Sequence, residues 1–207
     1  MPDHPICTYQ HFDPVSLAPQ SVPTQRRIGD LAPLVALASG RSVLDIGCNA
    51  GLVSALALRA GARSVLSTDV DPNFVAATSS LTKHHAGQWE VRKLAFEAHS
   101  ATERADVVYF LEVYHWLLHQ GMSPEAVAEK LDLLTGQVLV LEAPWDATDP
   151  SVAASLKHVH YSLPPLLQAL QSAGFRIELV GFASYFAAEY QRAMFRCERR
   201  LGQSTDR

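Results

Sequence analysis

Apolar positions along this chain fall into two alternating kinds of run. Short continuous runs, Val43 to Ile46, Val65 to Thr68, Ala105 to Leu111 and Gln137 to Leu141, read as buried strands, with a weaker one from Glu90 to Lys93. Between them, Leu52 to Ala60, Asn73 to Lys83 and Pro124 to Leu134 carry apolar residues at helical spacing. Strands alternating with helices of this length predict right-handed crossovers and a mostly parallel sheet. The end of the chain departs from this rhythm. Ser162 to Ala173 predicts a helix with Ser162 as N-cap and Gly174 as its stop. Two strands, Phe175 to Val180 and Ala193 to Cys197, then follow with no helix between them, which predicts an antiparallel addition at one sheet edge.

Ahead of the first strand, Thr24 to Ala38 predicts a helix with Ile28, Leu31, Leu34, Val35 and Leu37 near one face. The residues before it include Pro2, Pro5, Pro14, Pro19 and Pro23 and read as an irregular arm, because proline removes amide donors and resists helix.

With 207 residues, one domain is expected. The formal net charge of −4 makes nucleic acid an unlikely partner. Cys7, Cys48 and Cys197 are far apart with no CxxC spacing, which favours reduced thiols over a disulfide framework or a cysteine zinc site. No apolar run reaches the roughly 18 residues of a membrane span, and Met1 to Pro5 carries neither the basic nor the apolar segment of a signal peptide. The expectation is a soluble, cytoplasmic chain. Oligomeric state is not readable from the pattern.

The chemistry gathers where the first strand meets a glycine turn, Val43-Leu-Asp45-Ile-Gly47-Cys-Asn49-Ala-Gly51-Leu-Val-Ser54. In a doubly wound sheet a ligand binds at such a turn, outside the carboxyl ends of the strands. Asparagine at 49 keeps the turn feasible, since it tolerates positive φ. Asp45 ends the first strand beneath the turn, where a carboxylate repels a pyrophosphate and favours an ammonium or sulfonium. Asp69 ends the second strand, where a carboxylate accepts both hydroxyls of a ribose. One acid for a cationic end and one for a ribose describe S-adenosylmethionine better than NAD. An NAD-dependent oxidoreductase and a non-enzymatic nucleotide-binding module remain the alternatives of another class. Asp71, next to Pro72, is expected to start a helix, and Cys48 to pack within the loop.

These residues resemble class I S-adenosylmethionine-dependent methyltransferases, over roughly Ser42 to Cys197. The resemblance implies an α/β fold, a Rossmann-like doubly wound seven-stranded sheet, mostly parallel with an antiparallel last strand. It divides the chain into an arm and helix covering the active site (1–40), the methyltransferase domain (41–200) and a tail (201–207). It assigns Asp45, Gly47, Asn49, Gly51 and Asp69 to the cofactor. Ala95 and Phe96 fall near the adenine by stacking, although an aspartate frequent there is absent, and Leu111 and Glu112 border the sulfonium. His115 is the candidate base or substrate orienter, facing the acceptor. Trp116, His160, Tyr185 and Arg192 are candidate substrate contacts, His160 from the loop Trp145 to Tyr161 and Tyr185 from the loop Gly181 to Gln191, which also carries Phe182, Phe186 and Tyr190.

Arg26 and Arg27 could meet the cofactor's carboxylate, but the preferred reading is a solvated helix face. Arg192, Arg196, Arg199 and Arg200 likewise read mainly as a solvent-facing basic end of the last strand. His115 and His119 have zinc-ligand spacing but lack the glutamate of His-Glu-x-x-His, so no metal is expected. The expected partner is a small acceptor methylated on oxygen or nitrogen. A narrower similarity of Ala105 to Pro150 to methyltransferases that cap phosphates on O-antigen glycans or RNA 5′ ends leaves a glycan or RNA end as the alternative.

Overall fold

The structure is a computed structural model and describes residues 10–84, 88–145, 161–183 and 192–200. The elements run α1 (Val22–Val35), β1 (Ser42–Ile46), α2 (Leu52–Arg59), β2 (Ser64–Asp69), α3 (Pro72–Thr82) and β3 (Trp89–Lys93). They continue with β4 (Ala105–Leu111), α4 (Tyr114–His119), α5 (Pro124–Leu134), β5 (Thr135–Pro144), α6 (Pro164–Ser172), β6 (Phe175–Ala183) and β7 (Arg192–Arg199). Three helices start the same way. Ser21, Asp71 and Ser123 accept backbone amides of the first turn, and each is followed by a proline within that turn, where a missing N–H costs nothing.

The strands form one sheet in the order β3-β2-β1-β4-β5-β7-β6. The first five are parallel, and β7 runs antiparallel to both its neighbours. The antiparallel pair does lie at one end of the sheet, but the last strand is inserted between β5 and β6, so β6 forms the edge. The direction of chain progression reverses between β1 and β4, which makes their carboxyl ends the switch point.

Alternation along the central strands feeds two cores. Leu44, Ile46, Val108, Phe110, Leu139 and Leu141 pack under α4, α5 and α6. Val43, Val107, Tyr109, Val138, Val140 and Met194 pack under α1 and α2. Asp45 and Glu142, two residues on from Val43 and Val140, therefore face the α1 and α2 side.

Several boundaries differ from expectation by one to three residues, and two of the differences have a visible cause. β5 continues past Leu141 through Glu142 to Pro144, because that glutamate finds a buried partner. Ser162 does not cap α6, which begins at Pro164; its carbonyl instead accepts the Tyr114 hydroxyl at 2.9 Å. Among the described residues no helix is long and apolar enough to cross a membrane.

Candidate functional site

A cavity of about 480 Å3 opens at the carboxyl ends of β1, β2 and β4. The turn after β1 forms its floor. Gly47 and Asn49 sit at φ +73° and +51°, so the expected positive-φ asparagine is present. Amides of Gly47 and Cys48 donate to the Thr68 carbonyl at 2.8 and 3.0 Å, and the Asn49 carbonyl accepts the Thr78 hydroxyl at 2.7 Å. A Cβ on Gly47 would lie 2.6 Å from a Val113 methyl, so the close approach of this turn to the segment joining β4 and α4 requires glycine. Gly51, at φ +83°, is the N-cap of α2 and meets Thr78. It shapes the turn from behind and does not line the cavity.

Asp69 lines the cavity, and its two carboxylate oxygens accept the Asn49 and Asp71 amides at 2.9 and 3.0 Å. Each oxygen has a second lone pair, so the group is fixed in orientation yet can still accept hydroxyls. Asp71 caps α3 as expected. Asp45 also lines the cavity at 3% exposure, and burial pushes its carboxyl up to about 6, with the Ser54 hydroxyl pulling the other way. Cys48 is buried in the loop and its thiol is pushed well above the usual range by burial.

The wall beyond Asp69 is largely apolar, with Asp71 and Glu97 also among its residues. Leu94, Ala95 and Phe96 contribute to it, as do Val70 and Phe74, which sequence reasoning missed. Phe96 is mostly interior, tilted against Phe110 at 5.4 Å between ring centroids, so Ala95 and Leu94 offer the flatter surface. His99 anchors this turn to β2: its ring nitrogens contact the Ala95 and Phe96 carbonyls and the Thr68 hydroxyl.

The other wall corrects several expectations. Arg27 is not on a solvated face; it is 2% exposed, lines the cavity and is ion-paired with Glu142. The signal was its spacing, three after Thr24 and four before Leu31, both buried on α1. Arg192 does not face water either. It is 2% exposed and ion-paired with Glu112, outside the cavity lining. Glu112 lines the cavity at φ +62°, its amide donating to the Glu142 carbonyl at 2.9 Å. Leu111, Trp116, Leu117 and Gln120 complete this side, and Gln10 of the arm reaches over the rim. The Gln10 side-chain oxygen accepts the Leu52 amide at 3.3 Å.

His115 is 4% exposed and is not among the lining residues. Burial, with the Arg192 charge second, pushes its imidazole down to about 3, so the near-neutral pKa expected of a base is not found. Its ring lies 5.1 Å from that of Trp116, which is half exposed. Among the described residues His115 Nδ1 has no hydrogen-bond partner. His160, Tyr185, Phe186 and Tyr190 lie outside the described residues.

A second cavity of about 480 Å3 opens at the opposite rim, near Ser42, Ser64 and Arg104. Its acids Glu90 and Glu103 are paired with Arg92. It lies away from the glycine turn and the Asp45 and Asp69 carboxylates.

A family profile described as a methyltransferase domain matches residues 22–180. The chain belongs to this family, the class I S-adenosylmethionine-dependent methyltransferases. Two solved structures share the fold. Magnesium protoporphyrin IX methyltransferase from Synechocystis PCC 6803, with bound S-adenosylhomocysteine, superimposes with a TM-score of 0.69 at 21% identity, over 86% of this chain and 84% of that one. The N-methyltransferase NodS from Bradyrhizobium japonicum WM9 does so at 0.69 and 16% identity, over 87% of this chain and 98% of that one. In sequence, the chain is 38% identical over 124 residues to tRNA U34 carboxymethyltransferase of Methylococcus capsulatus, spanning 57% of this chain but only 35% of that protein.

The described residues fit such a cofactor. The glycine turn admits close approach, Asp69 is oriented to accept hydroxyls, Asp45 can meet a cation, and a largely apolar wall adjoins them.

Proposed function

We propose that this chain transfers a methyl group from S-adenosylmethionine to an oxygen or nitrogen of a small-molecule acceptor. The observation that carries the reading is the pair Asp45 and Asp69 on one cavity, a buried carboxylate suited to an ammonium beside one preset for a ribose. The bound cofactor supplies a methyl already activated on a sulfonium. The protein's task is then mainly alignment and exclusion of water.

Asp69 holds the ribose hydroxyls. Asp45 faces the ammonium, with Arg27 on the same wall placed for the carboxylate while Glu142 offsets part of its charge. Gly47 and Asn49 let the backbone approach. Leu94 and Ala95, with Val70 and Phe74, flank the adenine. Leu111 and Glu112 border the reacting centre, and the ion pair with Arg192 fixes how the Glu112 carboxylate is turned. The arm and α1, through Gln10 and Arg27, cover the site. His115, with so low a pKa and off the cavity lining, is a poor proton acceptor; it stays neutral and packs against Trp116, and the acceptor's proton passes to bulk solvent after the transfer. Trp116 borders the acceptor.

A small acceptor is supported by the net charge of −4 and by neighbours of similar size named for protoporphyrin and N-methyl transfer. The tRNA relative supports a second reading, an RNA acceptor. Incubation with S-adenosylmethionine labelled in its methyl group, with cell extract separated into metabolites, RNA and protein, tests both. Label in the metabolite fraction is expected. Label confined to RNA would replace the first reading with the second, and label confined to protein would exclude both.

A further inference from the structure

Four side chains from four elements join into one buried line. The Trp89 indole N–H donates to Ser67 Oγ at 2.7 Å, Ser67 Oγ and Ser54 Oγ are 2.6 Å apart, and Ser54 Oγ donates to Asp45 Oδ2 at 2.6 Å. Sheet register builds the line. Ser67 on β2 is the direct partner of Asp45 on β1, and Trp89 on β3 is opposite Val65, one diagonal step from Ser67 on the same face. Ser54, in the first turn of α2, closes the gap from above. Ser54 and Ser67 are fully buried, and Asp45 and Trp89 nearly so.

The donor and acceptor inventory sets the direction. An indole N–H only donates and an ionised carboxylate only accepts, so Ser67 must donate to Ser54 and Ser54 to Asp45. A proton placed on Asp45 Oδ2 would turn Ser54 around to donate to Ser67, and the Ser67 hydrogen would then lose the acceptor it has among the described residues. The line therefore matches the ionised acid. We propose that Trp89, Ser67 and Ser54 are positioning residues that hold the Asp45 carboxylate ionised and aimed at the ammonium end of the methyl donor. This rests on the reading above that Asp45 meets that ammonium.

The neighbours show why such a device is needed. Burial acts most strongly against the charge on Asp45, and the Asp69 charge adds to it, whereas Ser54 and, more weakly, Arg27 favour it. Tyr109, its register partner on β4, and Cys48 in the loop are held protonated, both by burial first and by Asp45 itself second. With its carboxyl near 6, Asp45 is charged at neutral pH by a narrow margin. Losing one charge-assisted donor moves such a midpoint by about one pH unit.

The test uses two readouts on the full chain. Carboxyl 13C NMR of aspartate-labelled protein follows the Asp45 midpoint without ligand. Calorimetric titration with S-adenosylhomocysteine from pH 5 to 8 follows the acid limb of binding. Ser54→Ala is expected to raise the midpoint by about one pH unit and to move the acid limb upward by the same amount. Ser54→Thr, which keeps a hydroxyl, is expected to restore both. Trp89→Phe, which removes the first donor, is expected to give a smaller shift of the same sign, and it remains informative should the Ser54 variants fold poorly. An Asp45 midpoint unmoved in Ser54→Ala, or in Trp89→Phe if that is the folded variant, would overturn the proposal. A midpoint that rises while the acid limb stays fixed would overturn instead the assignment of Asp45 to the ammonium, and with it the purpose given to the line.

Discussion

Arg27 of α1 and Glu142 of β5 form an ion pair sealed from solvent, and the arginine of that pair lines the ligand cavity. The contact joins the helix preceding the sheet to a central strand on the face that also carries Asp45. It makes α1 part of the site wall, tied to the sheet by charge as well as by Leu31 and Leu34.

Removing one partner deprives the other of a buried counter-charge. Arg27→Met is expected to destabilise the protein by about 3–5 kcal/mol in urea unfolding, whereas Arg27→Met combined with Glu142→Leu recovers most of the loss. A single substitution that costs nothing would mean that the pair is hydrated in solution.

Asp45 gives a stability effect opposite to its functional one. Its carboxyl is raised from 3.8 to about 6 in the folded chain, so the native state holds the proton more tightly than the unfolded state. The resulting cost is complete above pH 6 and disappears below the unfolded value. Asp45→Asn should therefore stabilise the protein by up to about 3 kcal/mol at pH 8 and hardly at all at pH 4. The same variant should lose S-adenosylhomocysteine affinity at pH 8. Thermal unfolding at the two pH values, with calorimetry at the higher one, reads both.

His115 acts in the other direction. Its imidazole is lowered from 6.5 to about 3, so the unfolded chain takes up a proton that the native chain refuses. Stability should fall as pH drops from 6.5 toward 3, at up to about 1.4 kcal/mol per pH unit from this group. His115→Gln should flatten that acid slope, and between pH 4 and 6 it leaves the opposing Asp45 contribution exposed. If turnover falls far more than cofactor affinity in this variant, a proton-transfer role for His115 returns.

Gly47→Ala meets two obstacles, a φ of +73° and a Val113 methyl 2.6 Å from the new carbon. Valine is stiff at this torsion, so the loop must shift. Loss of about 1–3 kcal/mol of stability is expected, with weaker S-adenosylhomocysteine binding. Chemical denaturation and calorimetry check the two effects separately.

Features governed by local rules were legible in the chain. The glycine turn could be read from residue types, since positive φ at Gly47 and Asn49 is a local property. The first five strands were placed within a few residues for the same reason, as their apolar runs are bounded by glycine, proline and acids. What escaped depended on distant partners. β5 runs on through Glu142 because Arg27 neutralises it, and no local pattern announces that pairing. Arg192 read as a surface cation because its partner Glu112 lies 80 positions away in sequence. The insertion of β7 between β5 and β6 is a choice between edge pairings that a strand pattern alone leaves open. Trp89 was left outside its strand because a single aromatic after a loop carries no period, yet its indole faces inward to Ser67.

On the function proposed above, the Asp45 and Asp69 cavity takes S-adenosylmethionine. Isothermal titration of the full chain with S-adenosylhomocysteine and with NAD, in wild type and Asp69→Ala, tests it most directly. Saturable binding of S-adenosylhomocysteine, weakened by about 1–3 kcal/mol in Asp69→Ala, with no heat from NAD, is the predicted result. Tight NAD binding with no response to S-adenosylhomocysteine would contradict it.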